Sequence, residues 1–257
     1  MSKQYKVTVL GSGTSQGVPV IACECKVCRS DDVRDKRLRS SIMVETNNHF
    51  FVIDTGPDFR QQMLRHSVKK IMAVLYTHEH KDHVAGLDDI RAFNFALKKD
   101  IDIYAEMRVQ KALKREYAYI FSENKYPGIP QIQMHTIINR VFEIEGVSII
   151  PVRIMHHKLP VFGFRFGKFA YLTDLKSVPE EEKEKLLDLD VLILAALRKE
   201  AHLSHMNLNE ALELIKELSP RQTYLTHLSH NFGLHAEEEK KLPSDVRIAF
   251  DGLTFLV

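Results

Sequence analysis

Short apolar runs recur along the chain, and most end in a polar residue with chemical capability. Val7-Thr8-Val9-Leu10 leads into a glycine-rich turn. Ser41 to Glu45 and Phe50 to Ile53 flank Asn47-Asn48, residues that tolerate the left-handed backbone of a hairpin turn, and the second run ends at Asp54. Ile71 to Tyr76 ends at Thr77-His78, Val147 to Ile154 at His156-His157, and Phe169 to Leu172 at Thr173-Asp174. Val191 to Leu194 leads towards His202 and His205, and Tyr224-Leu225 ends at Thr226-His227. Arg247 to Phe250 and Leu253 to Leu256 flank Asp251-Gly252, which reads as a second hairpin.

Helical spacing appears between these runs. Leu208, Ala211, Leu212, Ile215 and Leu218 share one face, and Pro220 stops the pattern. Phe59 to Leu64 and Leu87 to Leu97 also read as helices. Glu180 to Lys185 and Glu237 to Lys241 read as solvated helix faces. Strands alternating with helices, together with hairpins, predict an α/β (α+β) fold of mixed sheets covered by helices, an αββα sandwich. Such a fold gathers strand ends along one edge, and six of these ends carry Asp or His. With no internal repeat and no Gly/Ser-rich or Pro-rich linker, residues 1–257 read as a single domain.

Composition narrows the classes. Of 257 residues, 44% are hydrophobic and 27% charged, which excludes a disordered chain. No apolar run approaches the roughly 18 residues of a membrane span. The start, Met1 to Lys6, lacks the apolar stretch of a signal peptide, so the expected compartment is the cytoplasm. A net charge of +2 gives no electrostatic case for a nucleic-acid partner. Three cysteines crowded between positions 23 and 28 exclude a disulfide framework but suit a metal. Thirteen histidines are many for this length, and they direct attention to metal chemistry.

Thr77-His78-Glu79-His80-Lys81-Asp82-His83 follows an apolar strand and reads H-x-H-x-D-H. Imidazole and carboxylate suit Zn, Mn or Fe. Four ligands this close on a loop strain to reach one ion but divide between two: His78 and His80 to one, Asp82 and His83 to the other. The remaining ligands must come from other strand ends, where the residues alone leave His156 and His157 open. Cys23-Glu24-Cys25-Lys26-Val27-Cys28 offers three thiolates to a further ion, with no fourth ligand nearby in sequence. Gly11-Ser12-Gly13-Thr14-Ser15-Gln16-Gly17 matches neither a Walker A loop nor the dinucleotide fingerprint. Its glycines are expected to let backbone approach the metal site.

The H-x-H-x-D-H loop, the stretch Leu10 to Pro19 and the stretch Thr226-His227-Leu228-Ser229-His230 resemble the metallo-β-lactamase fold superfamily, and within it the PhnP-like cyclic phosphodiesterases. RNase Z, the tRNA 3′-processing endonuclease, is similar at greater distance. The resemblance covers almost the whole chain. It implies a dinuclear site of two Zn or Mn ions held by His78, His80, Asp82, His83, His157, Asp174 and His227. His157 is selected over His156 by its spacing of six to Gly163. It implies a structural Zn held by Cys23, Cys25, Cys28 and His230, and a hydroxide shared by the two catalytic ions as nucleophile. His205 would be the general acid or a phosphate contact, with Asp82 counted beside it in the catalytic set; His202 is the weaker candidate for that role and is expected as an exposed or capping residue. Asp54 would orient the loop and a histidine ligand by hydrogen bonds; its residue-level alternative is an N-cap for the helix starting near Pro57. His49, His66, His135, His156 and His235 are left as structural or surface residues.

The function so implied is hydrolysis of small cyclic or nucleotide-like phosphodiesters, such as ribosyl 1,2-cyclic phosphate. RNA is the less favoured substrate, because no Gly/Pro-rich tRNA-clamping insertion is present. A cofactor-biosynthesis or binding role like that of PqqB, which shares the cysteine cluster, is the third reading. The resemblance allows a homodimer and gives no reason for a membrane partner.

Overall fold

The computed structural model describes residues 4–123 and 126–257. Met1 to Lys3, where the segment read as lacking a leader begins, lie outside the described residues. Fourteen strands are described: β1 (Lys6–Gly11), β2 (Ser41–Thr46), β3 (His49–Ile53), β4 (Ala73–Leu75), β5 (Ile101–Ala105), β6 (Ile132–Thr136), β7 (Phe142–Ile144), β8 (Val147–His156), β9 (Leu159–Phe166), β10 (Phe169–Leu172), β11 (Val191–Ala195), β12 (Gln222–Thr226), β13 (Val246–Ile248) and β14 (Thr254–Leu256). The helices are α1 (Phe59–Arg65), α2 (Lys81–Val84), α3 (Arg91–Leu97), α4 (Met107–Glu116), α5 (Glu180–Lys183), α6 (Leu208–Leu218) and α7 (His235–Glu238).

The strands form two seven-stranded mixed sheets, ordered β14-β1-β2-β3-β4-β5-β6 and β13-β12-β11-β10-β9-β8-β7. Their inner faces share one apolar layer that includes Val7, Ile42, Phe51 and Leu75 from the first sheet and Phe162, Phe164, Tyr171 and Ile193 from the second. A second layer packs Leu172, Leu194 and Leu225 beneath Ala211, Ile215 and Leu218 of α6. A third packs Val52, Val74 and Ile103 against Phe59, Phe93 and Val109 of α1, α3 and α4. This is the αββα sandwich that the alternation of elements implies.

Local chemistry sets the boundaries. Asn47 and Asn48 turn the β2–β3 hairpin at φ 48° and 65°. Helix α6 starts with a capping box, in which the Asn207 side chain accepts from the Glu210 N–H and the Glu210 carboxylate accepts from the Asn207 N–H. It stops where Ser219 turns left-handed just before Pro220.

Two expectations fail. Asp251-Gly252 does not close a hairpin: β13 pairs with β12 in one sheet and β14 with β1 in the other. The buried Asp251 carboxylate accepts from Ser12 N–H (2.9 Å), Ser12 Oγ–H (2.9 Å) and Leu38 N–H (2.8 Å), so this turn carries the chain across the sandwich. The charge runs are also not wholly solvated. Glu182 is buried and accepts from Arg153 N–H and Lys185 Nζ, while buried Glu238 pairs with Lys199 and Lys241.

Candidate metal centre

Asp54 follows β3 in a left-handed conformation, φ 66°, and is fully buried. Its Oδ1 accepts from Thr77 N–H (2.9 Å), and its Oδ2 accepts from Thr77 Oγ1–H (2.8 Å) and from His83 Nδ1 (2.7 Å). A carboxylate only accepts, so His83 carries its hydrogen on Nδ1 and turns Nε2 into the cluster. Because the one Thr77 hydroxyl hydrogen is spent on Asp54, the 2.9 Å contact between Thr77 Oγ1 and His78 Nδ1 is donated by the imidazole. His78 therefore also presents Nε2. The side chain of Asp54 caps no helix; Asp58 precedes α1.

The 78–86 loop lies directly on the turn after β3. Thr55 N–H donates to His83 O and Gly86 N–H to Thr55 O, each at 2.8 Å. A Cβ on Gly56 would overlap the Asp82 carbonyl, so this close approach requires glycine. Gly56→Ala should push Asp82 and His83 out of place, lowering the melting temperature by several degrees and reducing bound metal. Calorimetry and elemental analysis check this, and a variant with unchanged metal content would contradict it.

Four side chains converge at the base of the site. Asp174, left-handed at φ 54° after β10, places Oδ2 3.0 Å from His83 Nε2 and Oδ1 3.1 Å from His227 Nε2. Asp82 Oδ2 lies 3.2 Å from His83 Nε2. The two Nε2 atoms are buried, yet neither is aligned to hydrogen-bond with these oxygens. Nitrogen and oxygen atoms that crowd one space without bonding each other fit a cation between them. The ligand atoms of Asp82, His83, Asp174 and His227 all lie within 4.8 Å of one another.

A second group adjoins the first. The ring of His78 is 4.5 Å from that of His80 and 5.9 Å from that of His156, and His80 and His156 are 5.2 Å apart. His78 Nε2 is buried without a partner. His156 Nδ1 donates to Ser204 O (2.9 Å), leaving Nε2 to the cluster. The ligand atoms of His156, Asp174 and His205 lie within 4.8 Å of one another, and the rings of His78 and His80 adjoin them.

Here the structure corrects the choice of histidine. His157 is exposed in the left-handed turn between β8 and β9, and His156 is the one buried at the cluster. Alternation along β8 carried that signal: Val152, Ile154 and His156 share the buried face. His205 is also brought in. Its ring stands 4.5 Å from His156 and 4.9 Å from His227, and its Nδ1 lies 3.9 Å from Asp174 Oδ1.

The electrostatics match a cation site. Burial opposes ionisation of Asp174, but His227 and His83 outweigh it and hold the carboxyl well below its usual range. Burial opposes a charged His227, yet Asp174 and Asp82 draw its pKa up to about 9. His78, buried and next to His83, is pushed well below the usual imidazole range. Burial and the neighbouring His227 push His205 down to about 3.

The cysteines form a second centre. Cys23, Cys25 and Cys28 place their Sγ atoms 3.2, 3.5 and 3.6 Å from His230 Nδ1. The N–H of Cys28 on its sulfur leads the effects that lower the Cys25 thiol to about 6. Three sulfurs and one imidazole nitrogen are a zinc donor set. The glycine-rich loop lies between the two centres: Leu228 N–H donates to Ser12 O and Thr14 N–H to Leu228 O, flanked by His227 and His230. Reading the sequence missed Arg108, which pairs with Glu79 of the histidine loop and donates to Pro160 O, tying that loop to α4 and β9.

Residues 49–228 match the family model of the β-lactamase superfamily domain. A solved diphosphatase of the PhnP family superposes with a TM-score of 0.93 at 41% identity, covering 99% of this chain and 97% of that one. Zn²⁺-bound PqqB from Methylobacterium extorquens gives a TM-score of 0.80 at 20% identity over 97% of this chain and 99% of the other, a likeness of fold. An octanoyltransferase of Porphyromonas gingivalis is 38% identical over 252 residues, 97% of this chain and 51% of that protein. The chain spans about half the length of the curated relatives it matches. Among the described residues, no helix is long and apolar enough to cross a membrane.

Proposed function

The chain belongs to the metallo-β-lactamase fold superfamily and to its PhnP-like branch, and from that premise we propose that it is a metal-dependent hydrolase of small phosphodiesters. The observation that carries this reading is the group of buried, hydrogen-bond-poor imidazole nitrogens turned towards Asp174. His78, His80 and His156 would hold one divalent ion and Asp82, His83 and His227 the other, with Asp174 between them. Zn and Mn both suit these donors. Cys23, Cys25, Cys28 and His230 would hold a structural zinc. When bound, the catalytic ions supply Lewis-acid activation of water and neutralise charge on the phosphate.

The protein's own residues do the rest. Asp54 fixes the tautomer and direction of His83 through a 2.7 Å bond and holds the loop through Thr77. His205 lies beside both halves of the cluster, where it can touch a phosphate oxygen or give a proton to the leaving oxygen. A diester anion next to it would raise its depressed pKa. Cyclic or nucleotide-like diesters, ribosyl 1,2-cyclic phosphate among them, are the proposed substrates, and the apolar layer shared by both sheets supports one domain over 1–257. The octanoyltransferase named among the relatives is about twice as long, and about half of it lies outside the match with this chain.

Protein loaded with zinc or manganese, assayed on bis-p-nitrophenyl phosphate, cyclic phosphates and a precursor tRNA, tests the reading. Turnover of the diesters supports it; cleavage of the tRNA alone makes the protein an RNA-processing enzyme, and inactivity on all three refutes the phosphodiester reading. His205→Ala should keep the metals and lose about 10²–10⁴-fold in turnover of substrates with alkoxide leaving groups. The loss should be much smaller with p-nitrophenolate, which departs without a proton. Equal losses on both would make His205 a phosphate contact, and loss of metal would make it a ligand.

A further inference from the structure

Ser204 stands between two imidazoles and treats them oppositely. Its carbonyl can only accept, and it lies 2.9 Å from His156 Nδ1. Its backbone N–H can only donate, and it lies 3.3 Å from His202 Nδ1, with Ser204 Oγ also at 3.3 Å. His156 must therefore carry its hydrogen on Nδ1, and neutral His202 must carry its hydrogen on Nε2. The segment is pinned next door, where Met206 N–H donates to Leu175 O (2.8 Å) and Leu197 N–H donates to Met206 O (2.9 Å). The half-buried ring of His202 is 5.1 Å from that of His205. An Nδ1 that accepts the Ser204 N–H belongs to a neutral ring, and burial, followed by the Arg198 and Lys176 cations, lowers the pKa of His202 in the same direction.

We propose that Ser204 sets this pair of tautomers as a device: His156 offers a bare Nε2 to a metal, while His202 presents a fixed Nε2–H beside His205 as a donor to a phosphate oxygen of the substrate. The second half rests on the diester reading above. The donor meets the phosphate in ground state and transition state alike, so it acts on binding more than on turnover. His202 thereby becomes a substrate contact in its own right, not the exposed or capping residue expected of the weaker candidate beside His205.

Two measurements on the zinc-loaded protein decide this. Long-range ¹H–¹⁵N spectra of ¹⁵N-histidine protein should show His202 protonated on Nε2 and His156 on Nδ1. A His202 with a bare Nε2 would overturn the device. Kinetics on bis-p-nitrophenyl phosphate should show KM raised about tenfold or more for His202→Ala, with kcat within a few-fold, since a hydrogen bond to a charged group is lost. His202→Gln, whose amide nitrogen reaches about as far as Nε2, should recover most of the loss, and His202→Asn should not. An unchanged KM in His202→Ala, with the expected tautomers present, overturns the substrate contact alone. A wild-type protein inactive on every diester overturns the functional reading and the contact with it, while the spectra still judge the tautomers.

Discussion

Asp174→Ala is expected to abolish metal binding at the catalytic cluster and to lower diester hydrolysis by at least about 10³-fold, the scale of several kcal/mol of lost charge stabilisation. The two oxygens of Asp174 face different partners, Oδ2 towards His83 and Oδ1 towards His227, so one side chain serves both halves of the site. Removing it also removes the main counter-charge that raises His227. Asp174→Asn is the sharper variant. It keeps the shape, but its NH₂ cannot accept a bond or ligate, so one half of the cluster should weaken more than the other. Elemental analysis after purification without chelator, together with turnover of bis-p-nitrophenyl phosphate, measures both effects. An alanine variant that keeps two catalytic ions would remove Asp174 from the bridging position.

Cys25→Ala should cost one zinc per chain and lower the melting temperature by about 5 °C or more, because a structural zinc contributes its binding free energy to folding. Cys25 also holds its neighbours: its sulfur accepts the Cys28 N–H at 3.4 Å and lies 3.5 Å from His230. The ligands of the catalytic cluster remain in the chain, so its ions should still bind after remetallation. Zinc counted by elemental analysis and unfolding followed by calorimetry separate the two centres. Full metal content with an unchanged melting temperature would show that the cysteines hold nothing.

The parts of the molecule that were legible in the sequence are those where a single segment settles the matter. The H-x-H-x-D-H loop stands out as a candidate donor set because four imidazole or carboxylate groups fall within six residues. The Asn47-Asn48 hairpin and the α6 boundaries at Asn207 and Pro220 follow from local turn and cap chemistry. Segments whose partners are distant were harder. Asp251-Gly252 has the composition of a hairpin turn, but the pull on Asp251 comes from Ser12 and Leu38, more than two hundred positions away, and it sends the chain to the other sheet. Glu182 reads as a solvated charge until Arg153, Asn139 and Lys185 are seen around it.

By itself, then, the sequence determined the alternation of strands and helices, the strand ends that carry chemistry and the two donor sets, because periodicity, turn residues and ligand spacing are written within a few neighbouring positions. That His156 and not His157 faces the cluster was settled by the folded sheet, whose buried face takes His156 as the last residue of β8 while His157 turns left-handed into the exposed β8–β9 turn. The tertiary structure alone brought His205 beside His156 and His227, and set Leu228 between the two centres. Those contacts join segments far apart in the chain: strand order within the second sheet gathers His156, His205 and His227, and the packing of one sheet upon the other sets Leu228 against Ser12.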